Sequence, residues 1–150
     1  MTQDRMALLR RVSMFLSIAG LIVAGYLTYL HLSGSTAALC APGGGCDTVR
    51  TSRYSVVAGI PVAVVGLAGY LGMLAVLLLE EFDGPLADLT PLLMFGFSLI
   101  GVLYSVYLTY LELFVIAAIC PYCVASAVIV TLIFILAIFR LSGDQTPQDA

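Results

Sequence analysis

Charge is scarce in this sequence: only 10% of its 150 residues are Asp, Glu, Lys or Arg, where a soluble domain carries about 25%. With 61% hydrophobic residues and a mean hydropathy of +1.10, it lacks the polar surface of a water-borne fold. The same composition excludes intrinsic disorder and a disulfide-stapled secreted mini-protein. Lysine is absent, and the six basic residues are all Arg, three of them in the first eleven positions. A net charge of −3, so thinly spread, cannot neutralise a run of phosphates, which excludes nucleic-acid binding. A single histidine, His31, rules out bis-histidine haem ligation within the chain. No Gly-x-Gly-x-x-Gly motif is present for a dinucleotide or flavin, and Gly43-Gly44-Gly45 lacks the strand and helix of a phosphate cradle.

What is present is four long apolar runs. They predict an all-α membrane protein, a four-transmembrane-helix bundle in a single integral-membrane domain over 1–150. The expected spans are 12–32, 56–79, 91–111 and 123–139, with polar tails at 1–11 and 141–150. The first run is too long for a cleavable signal peptide, whose apolar region is about 7–15 residues. Leu39, before Cys40, stands where a lipoprotein cleavage site would need a small residue. The glycine-rich stretch from Ser33 to Ser55 reads as a loop carrying Cys40 and Cys46, with Thr51 or Ser52 capping a short half-helix over Arg53 to Ala58. Glu80 to Thr90 reads as a wet turn, and the third span begins near Pro91.

Arg5, Arg10, Arg11 and Arg140 against Arg50 and Arg53 place both termini in the cytoplasm, although the acidic 80–90 linker on the same side lends no support. Parity is firmer. With four spans, the first and third connections share a side, so all four cysteines can meet. A weak echo also runs through the chain: Tyr26-Leu27-Thr28-Tyr29-Leu30 recurs as Tyr107-Leu108-Thr109-Tyr110-Leu111, and the same offset pairs Ser17 with Ser98 and Gly20 with Gly101. A parallel repeat of two helix hairpins and coincidence both account for it. Gly20 with Ala24, Ala68 with Gly72 and Gly101 with Ser105 suit close helix packing.

The cysteines fall in two pairs, Cys40-x5-Cys46 in the first loop and Cys120-Pro121-Tyr122-Cys123 opening the fourth span. The second has the spacing of a redox pair at a helix start, where N–H groups and the helix dipole stabilise a thiolate. Pro121 suits the first helical turn. Cys120 is expected as the exposed attacking sulfur and Cys123 as the inner one, facing the bundle. Zinc is a poor rival, since one C-x2-C and a glycine-rich five-residue gap do not supply a four-ligand pattern. Structural disulfides are the stronger rival in an exported loop, yet a bond between two helix residues one turn apart restrains almost nothing. By elimination, the acceptor for such a pair at a membrane surface is a lipid-soluble two-electron carrier, a quinone.

Taken together, Cys40-x5-Cys46, Ser52 within Thr51-Ser52-Arg53-Tyr54, Gly59-Ile60-Pro61 with Gly66 and Tyr70, and Cys120-Pro121-Tyr122-Cys123 resemble the vitamin K epoxide reductase family in its bacterial branch. The resemblance implies a four-helix bundle around a quinone (menaquinone, ubiquinone or a related one), with no metal. It implies an active-site pair Cys120–Cys123 with Cys123 next to the quinone, and a shuttle pair Cys40 and Cys46 fed by a thioredoxin-like protein. Ser52 matches a family position that supports the active-site loop, and serves equally as a helix cap. The implied activity is quinone-dependent disulfide oxidoreduction in the bacterial cytoplasmic membrane, with the cysteines on the extracytoplasmic side, supporting disulfide formation in exported proteins. Two departures stand out. Many bacterial members carry a fused thioredoxin-like domain, whereas this sequence stops at Ala150, so the expected partner is a separate polypeptide. Animal members place a quinone-contacting Tyr one turn past the active pair, where this chain has Ala127.

Competing readings are a DsbB-like quinone reductase, whose C-x-x-C lies in the first loop instead, and a non-catalytic membrane subunit with structural disulfides. Glu112 reads either as a proton relay to the quinone or as the wet end of the third helix with Leu113 to Ile119 skimming the interface; span length favours the latter. Tyr26, Tyr29, Tyr107 and Tyr110 read as an interfacial belt.

Overall fold

A computed structural model of the chain describes residues 2–33, 53, 56–82, 84–117 and 119–144. Four helices carry the structure: α1 (Thr2–Ser33), α2 (Val62–Leu79), α3 (Pro85–Tyr110, continued by a π-helical turn, Leu111–Ile116) and α4 (Pro121–Asp144). Each is long and apolar enough to cross a membrane. α1 packs on α2, α2 on α3, α3 on α4, and α4 closes back onto α1, giving an up-down-up-down bundle. Large apolar side chains point outward, including Phe15, Ile22, Ile100, Leu103 and Val106, as lipid-facing surfaces require. The interior holds Leu77, Met94 and Ile133 beside the small hydroxyls of Ser17, Thr90 and Ser98. Such hydroxyls are tolerated in hydrocarbon when they bond back to their own helix, as Ser98 does to the Met94 carbonyl at 2.7 Å.

The helix bounds differ from the sequence expectation in three places. α1 starts at Thr2, so residues 2–11 continue the first span instead of forming a polar tail. α3 starts at Pro85, six residues before Pro91. Proline at the first helical position needs no N–H partner, and Pro91 within the next turns forfeits only one bond, so the second proline does not mark the boundary. The half-helix over 53–58 is replaced at 56–58 by a two-stranded hairpin, β1 (Val56–Val57) pairing antiparallel with β2 (Ile60–Pro61). Ala58 and Gly59 both have positive φ, 53° and 83°, the combination a two-residue hairpin turn demands.

Arg10 reaches Glu81 at 2.7 Å and Glu80 at 3.9 Å, while Arg140 reaches Glu80 at 2.6 Å. One end of the bundle therefore gathers α1, the 80–84 connection and the close of α4. Two acids of the linker that gave no support by charge counting, Glu80 and Glu81, are thereby paired with the two arginines. Arg140 is 2% exposed, so its pair with Glu80 is the kind whose breakage costs about 3–5 kcal/mol, because a buried charge is left uncompensated.

The internal echo has a structural counterpart. Gly20 lets α1 approach the Tyr70 ring of α2, and Gly101 lets α3 approach Val130 of α4. Thr28 bonds the Ala24 carbonyl and Thr109 that of Ser105, both at 2.8 Å. The partners differ, a Tyr ring in one hairpin and a Val methyl in the other, so a repeat and coincidence both still account for the echo. A Cβ at Gly20 would overlap the Tyr70 ring, which is buried and tied to Ser126. Gly20→Ala should destabilise the bundle by about 1–3 kcal/mol, seen as a lower unfolding midpoint in detergent. Gly96→Ala, with nothing within 4 Å of the added methyl, should not lower it.

Candidate active site

Opposite the charged end, the third connection delivers the C-x-x-C pair. Chain direction is set by the π-helical turn, whose wider i→i+5 bonds suit functional sites, and by Ala117 in the left-handed conformation at φ 54°, its N–H donating to the Glu112 carbonyl. Cys120 then stands immediately before α4. Its carbonyl accepts the Val124 N–H at 3.1 Å, making it the helix cap, with Pro121 in the first turn as expected. Tyr26 of α1 packs against Tyr122, ring centroids 5.4 Å apart, and braces the turn between the two cysteines.

Sequence reasoning expected Cys120 to be the exposed sulfur, and the structure corrects this. Cys120 is 2% exposed, whereas Cys123 is partly exposed. The reason is the fold-back at Ala117, which tucks the Cys120 backbone N–H toward the Glu112 carboxylate, 3.4 Å away. The expectation of thiolate character holds. A hydrogen bond from the Cys123 thiol, helped by backbone N–H groups of Cys123 and Tyr122, brings the Cys120 thiol down to about 7 against the opposing effects of burial and the Glu112 charge. Thiolate therefore forms as pH rises through about 7 instead of through the ordinary value of about 8.5. Alkylation of Cys120 in the fully reduced protein, followed peptide by peptide by mass spectrometry, should be half-maximal near about pH 7 and level off above that. In Cys123→Ala the donor is gone and the plateau should move to higher pH.

Glu112 is buried at 5% exposure, not in water at a helix end as span length suggested. Counting residues at the α-helical rise ended the third helix too early; the π-helical turn carries it on to Ile116 and turns Glu112 inward. Its carboxylate accepts the Cys120 N–H, and it shares the cavity wall with the Cys123 side chain. Leu113, Phe114 and Ile119 do face outward.

Cys120, Cys123 and Glu112 lie along a partly open cavity of about 210 Å³ lined by all four helices. Its wall is mostly apolar, with Ala24, Gly66, Met73 and Val130 among the lining residues. The polar groups on it are few: His31, Tyr70, Tyr104, Ser105, Thr109 and Ser126 besides the three already named. Tyr70 Oη donates to the Ser126 carbonyl at 3.0 Å, while Tyr104 Oη is buried without a hydrogen-bond partner. Tyr29, Tyr107 and Tyr110 are exposed, and none of the four belt tyrosines lines the cavity. Sequence reasoning missed Tyr104 and His31. A helical stripe from Gly101 through Tyr104, Ser105 and Leu108 to Glu112 was the available signal, since residues three and four apart share a face. Cys40, Cys46 and Ser52 lie outside the described residues.

Thiol-disulfide oxidoreductase LTO1 of Arabidopsis thaliana is 32% identical over 129 residues, which cover 82% of this chain and 34% of that protein. The chain thus spans about a third of the length of this relative. The sequence pattern of the vitamin K epoxide reductase family matches residues 11–138. That match takes in the core of all four helices together with Glu112 and both cavity sulfurs, and on its strength the chain belongs to the vitamin K epoxide reductase family.

Proposed function

We propose that this chain is a membrane thiol–disulfide oxidoreductase that carries electrons from a thioredoxin-like partner to a quinone. The observation that carries the reading is the placement of the Cys120–Cys123 pair on a mostly apolar cavity lined by four helices long and apolar enough to cross a membrane. A flat, apolar ring with oxygens at its edge suits such a wall, which is apolar with a few polar groups near the sulfurs. When bound, the quinone supplies a sink for two electrons and two protons and leaves as quinol.

Everything else is work for the chain. Cys120 and Cys123 give up two electrons and two protons together and close a disulfide. Glu112, on the same cavity wall, takes the Cys123 proton as the sulfur becomes nucleophilic. The pair is then reduced again by Cys40 and Cys46, whose own disulfide is opened by the partner's thiolate; Ser52 supports the loop between. Each exchange is a thiolate attack that breaks one disulfide and forms another, so electrons are conserved along the route. Direction follows potential: about 30 mV in a two-electron couple is worth about 1.4 kcal/mol, and a quinone well above a thiol oxidant near about −120 mV draws electrons forward. The net result is disulfide formation in exported proteins.

We place the chain in a bacterial cytoplasmic membrane with both termini inside and the cysteines outside, on the count of Arg5, Arg10, Arg11 and Arg140 against Arg50 and Arg53. The test is capture. Cys40→Ser and Cys46→Ser variants, expressed in cells and acid-quenched, should each be examined for a mixed disulfide with a thioredoxin-like protein identified by mass spectrometry. One of them should trap it. Absence of any mixed disulfide from both variants overturns the partner step.

A further inference from the structure

Among the described residues, one buried polar atom on the cavity wall is left without a partner by the bundle itself. Tyr104 Oη is buried and makes no hydrogen bond. Three other polar groups on the wall are committed: Tyr70 Oη to Ser126, Thr109 Oγ1 to the Ser105 carbonyl, and the Glu112 carboxylate to Cys120 N–H. A phenol hydrogen with no acceptor in a low-dielectric wall carries its full desolvation cost, so an occupant offering an oxygen there is favoured.

Its depth in the bundle follows from helix register. α3 and α4 run antiparallel, and two close approaches fix their alignment: Gly101 against Val130, and Glu112 against Cys120. Between these anchors Tyr104 lies level with Ala127, four residues beyond Cys123, or about 6 Å at 1.5 Å per residue. Ala127 is also on the cavity wall, and its small side chain leaves room opposite the phenol. One helical turn is the scale of a six-membered ring with an oxygen at each end.

We propose that Tyr104 Oη donates the hydrogen bond that holds the far carbonyl oxygen of a para-quinone whose near end faces Cys123. The assignment rests on the quinone reading of the cavity and adds to it both a binding group and a selectivity. A ring with carbonyls on opposite sides reaches Cys123 and Tyr104 at once; an ortho-quinone, with its carbonyls adjacent, cannot.

The experiment uses the purified full chain in nanodiscs with a short-chain para-benzoquinone carrying ¹³C at one carbonyl or the other, read by isotope-edited infrared difference against empty nanodiscs. In the wild-type protein one bound carbonyl stretch should be lowered relative to apolar solvent. Tyr104→Phe should return that band to its unbonded position and weaken binding about 3–10-fold, the effect of one hydrogen bond. Replacing Tyr104 by 3-fluorotyrosine keeps the shape, strengthens the donor and should lower the band further; it decides the matter if the Phe variant does not fold. Bands unmoved by these replacements, with quinone still bound, overturn the Tyr104 assignment and leave the quinone reading standing. No bound-carbonyl signal in the wild type at saturating quinone overturns that reading, and the assignment with it.

Discussion

Cys123→Ala should lower quinone reduction more than about a thousandfold, to the protein-free background, whichever thiol supplies the electrons. The variant leaves Cys120 beside the cavity, but a lone sulfur cannot close a disulfide and so cannot deliver two electrons. It also loses the thiol that holds Cys120 at its lowered pKa. Cys120→Ala should be as inactive for the complementary reason. Cys40→Ala and Cys46→Ala should differ from both: reduction driven by a thioredoxin-like donor stops, while a small dithiol that reaches Cys120–Cys123 directly still turns over quinone. Absorbance of a short-chain quinone, followed with each donor in turn, measures all four. Full activity in all four single variants would end the redox reading and leave the cysteines as structural.

The contrast between the two cysteine pairs shows where the sequence was informative. Cys120-Pro121-Tyr122-Cys123 was legible because its features are local: a proline suited to the first turn, a pair spaced by one helical turn, and an apolar run behind it. The structure places Cys120 at the cap and Pro121 at the helix start. Four spans were legible for the same reason, since each depends on about 20 neighbouring residues. Features that depend on distant parts of the chain were misread. Cys120 seemed exposed because a helix start faces water unless something folds over it, and that something begins at Glu112, eight residues earlier. Pro91 seemed a boundary because Pro85 stood in an acidic stretch. Its acids Glu80 and Glu81 are neutralised by Arg10 and Arg140, about 70 and 60 residues away in sequence. The hairpin at Val56–Pro61 was hidden by Ala58, which takes a left-handed conformation that the residue type disfavours by about 1–2 kcal/mol.

Glu112 was the residue hardest to read and carries the second large effect. Glu112→Gln should slow quinone reduction about 10²-fold, the lower end of what a positioned general base contributes. The substitution is nearly isosteric, and its amide oxygen can still accept the Cys120 N–H that Glu112 Oε2 now receives at 3.4 Å. What Gln cannot do is take a proton from Cys123. A carboxylate base must be ionised to act, so wild-type turnover should fall as pH drops through the Glu112 titration, and the variant should lack that acid limb while keeping the rest of its profile. Glu112→Ala goes further, because it also leaves the Cys120 N–H without its acceptor and loosens the turn that presents both sulfurs. Comparing the pair separates chemistry from architecture: Gln should lose rate with little change in unfolding midpoint, whereas Ala should lose both. A Gln variant that keeps wild-type rate and its acid limb would show that another group, or water entering the cavity, receives the Cys123 proton. Glu112 would then act through the π-helical turn alone, as the buried acceptor that folds Cys120 under the bundle.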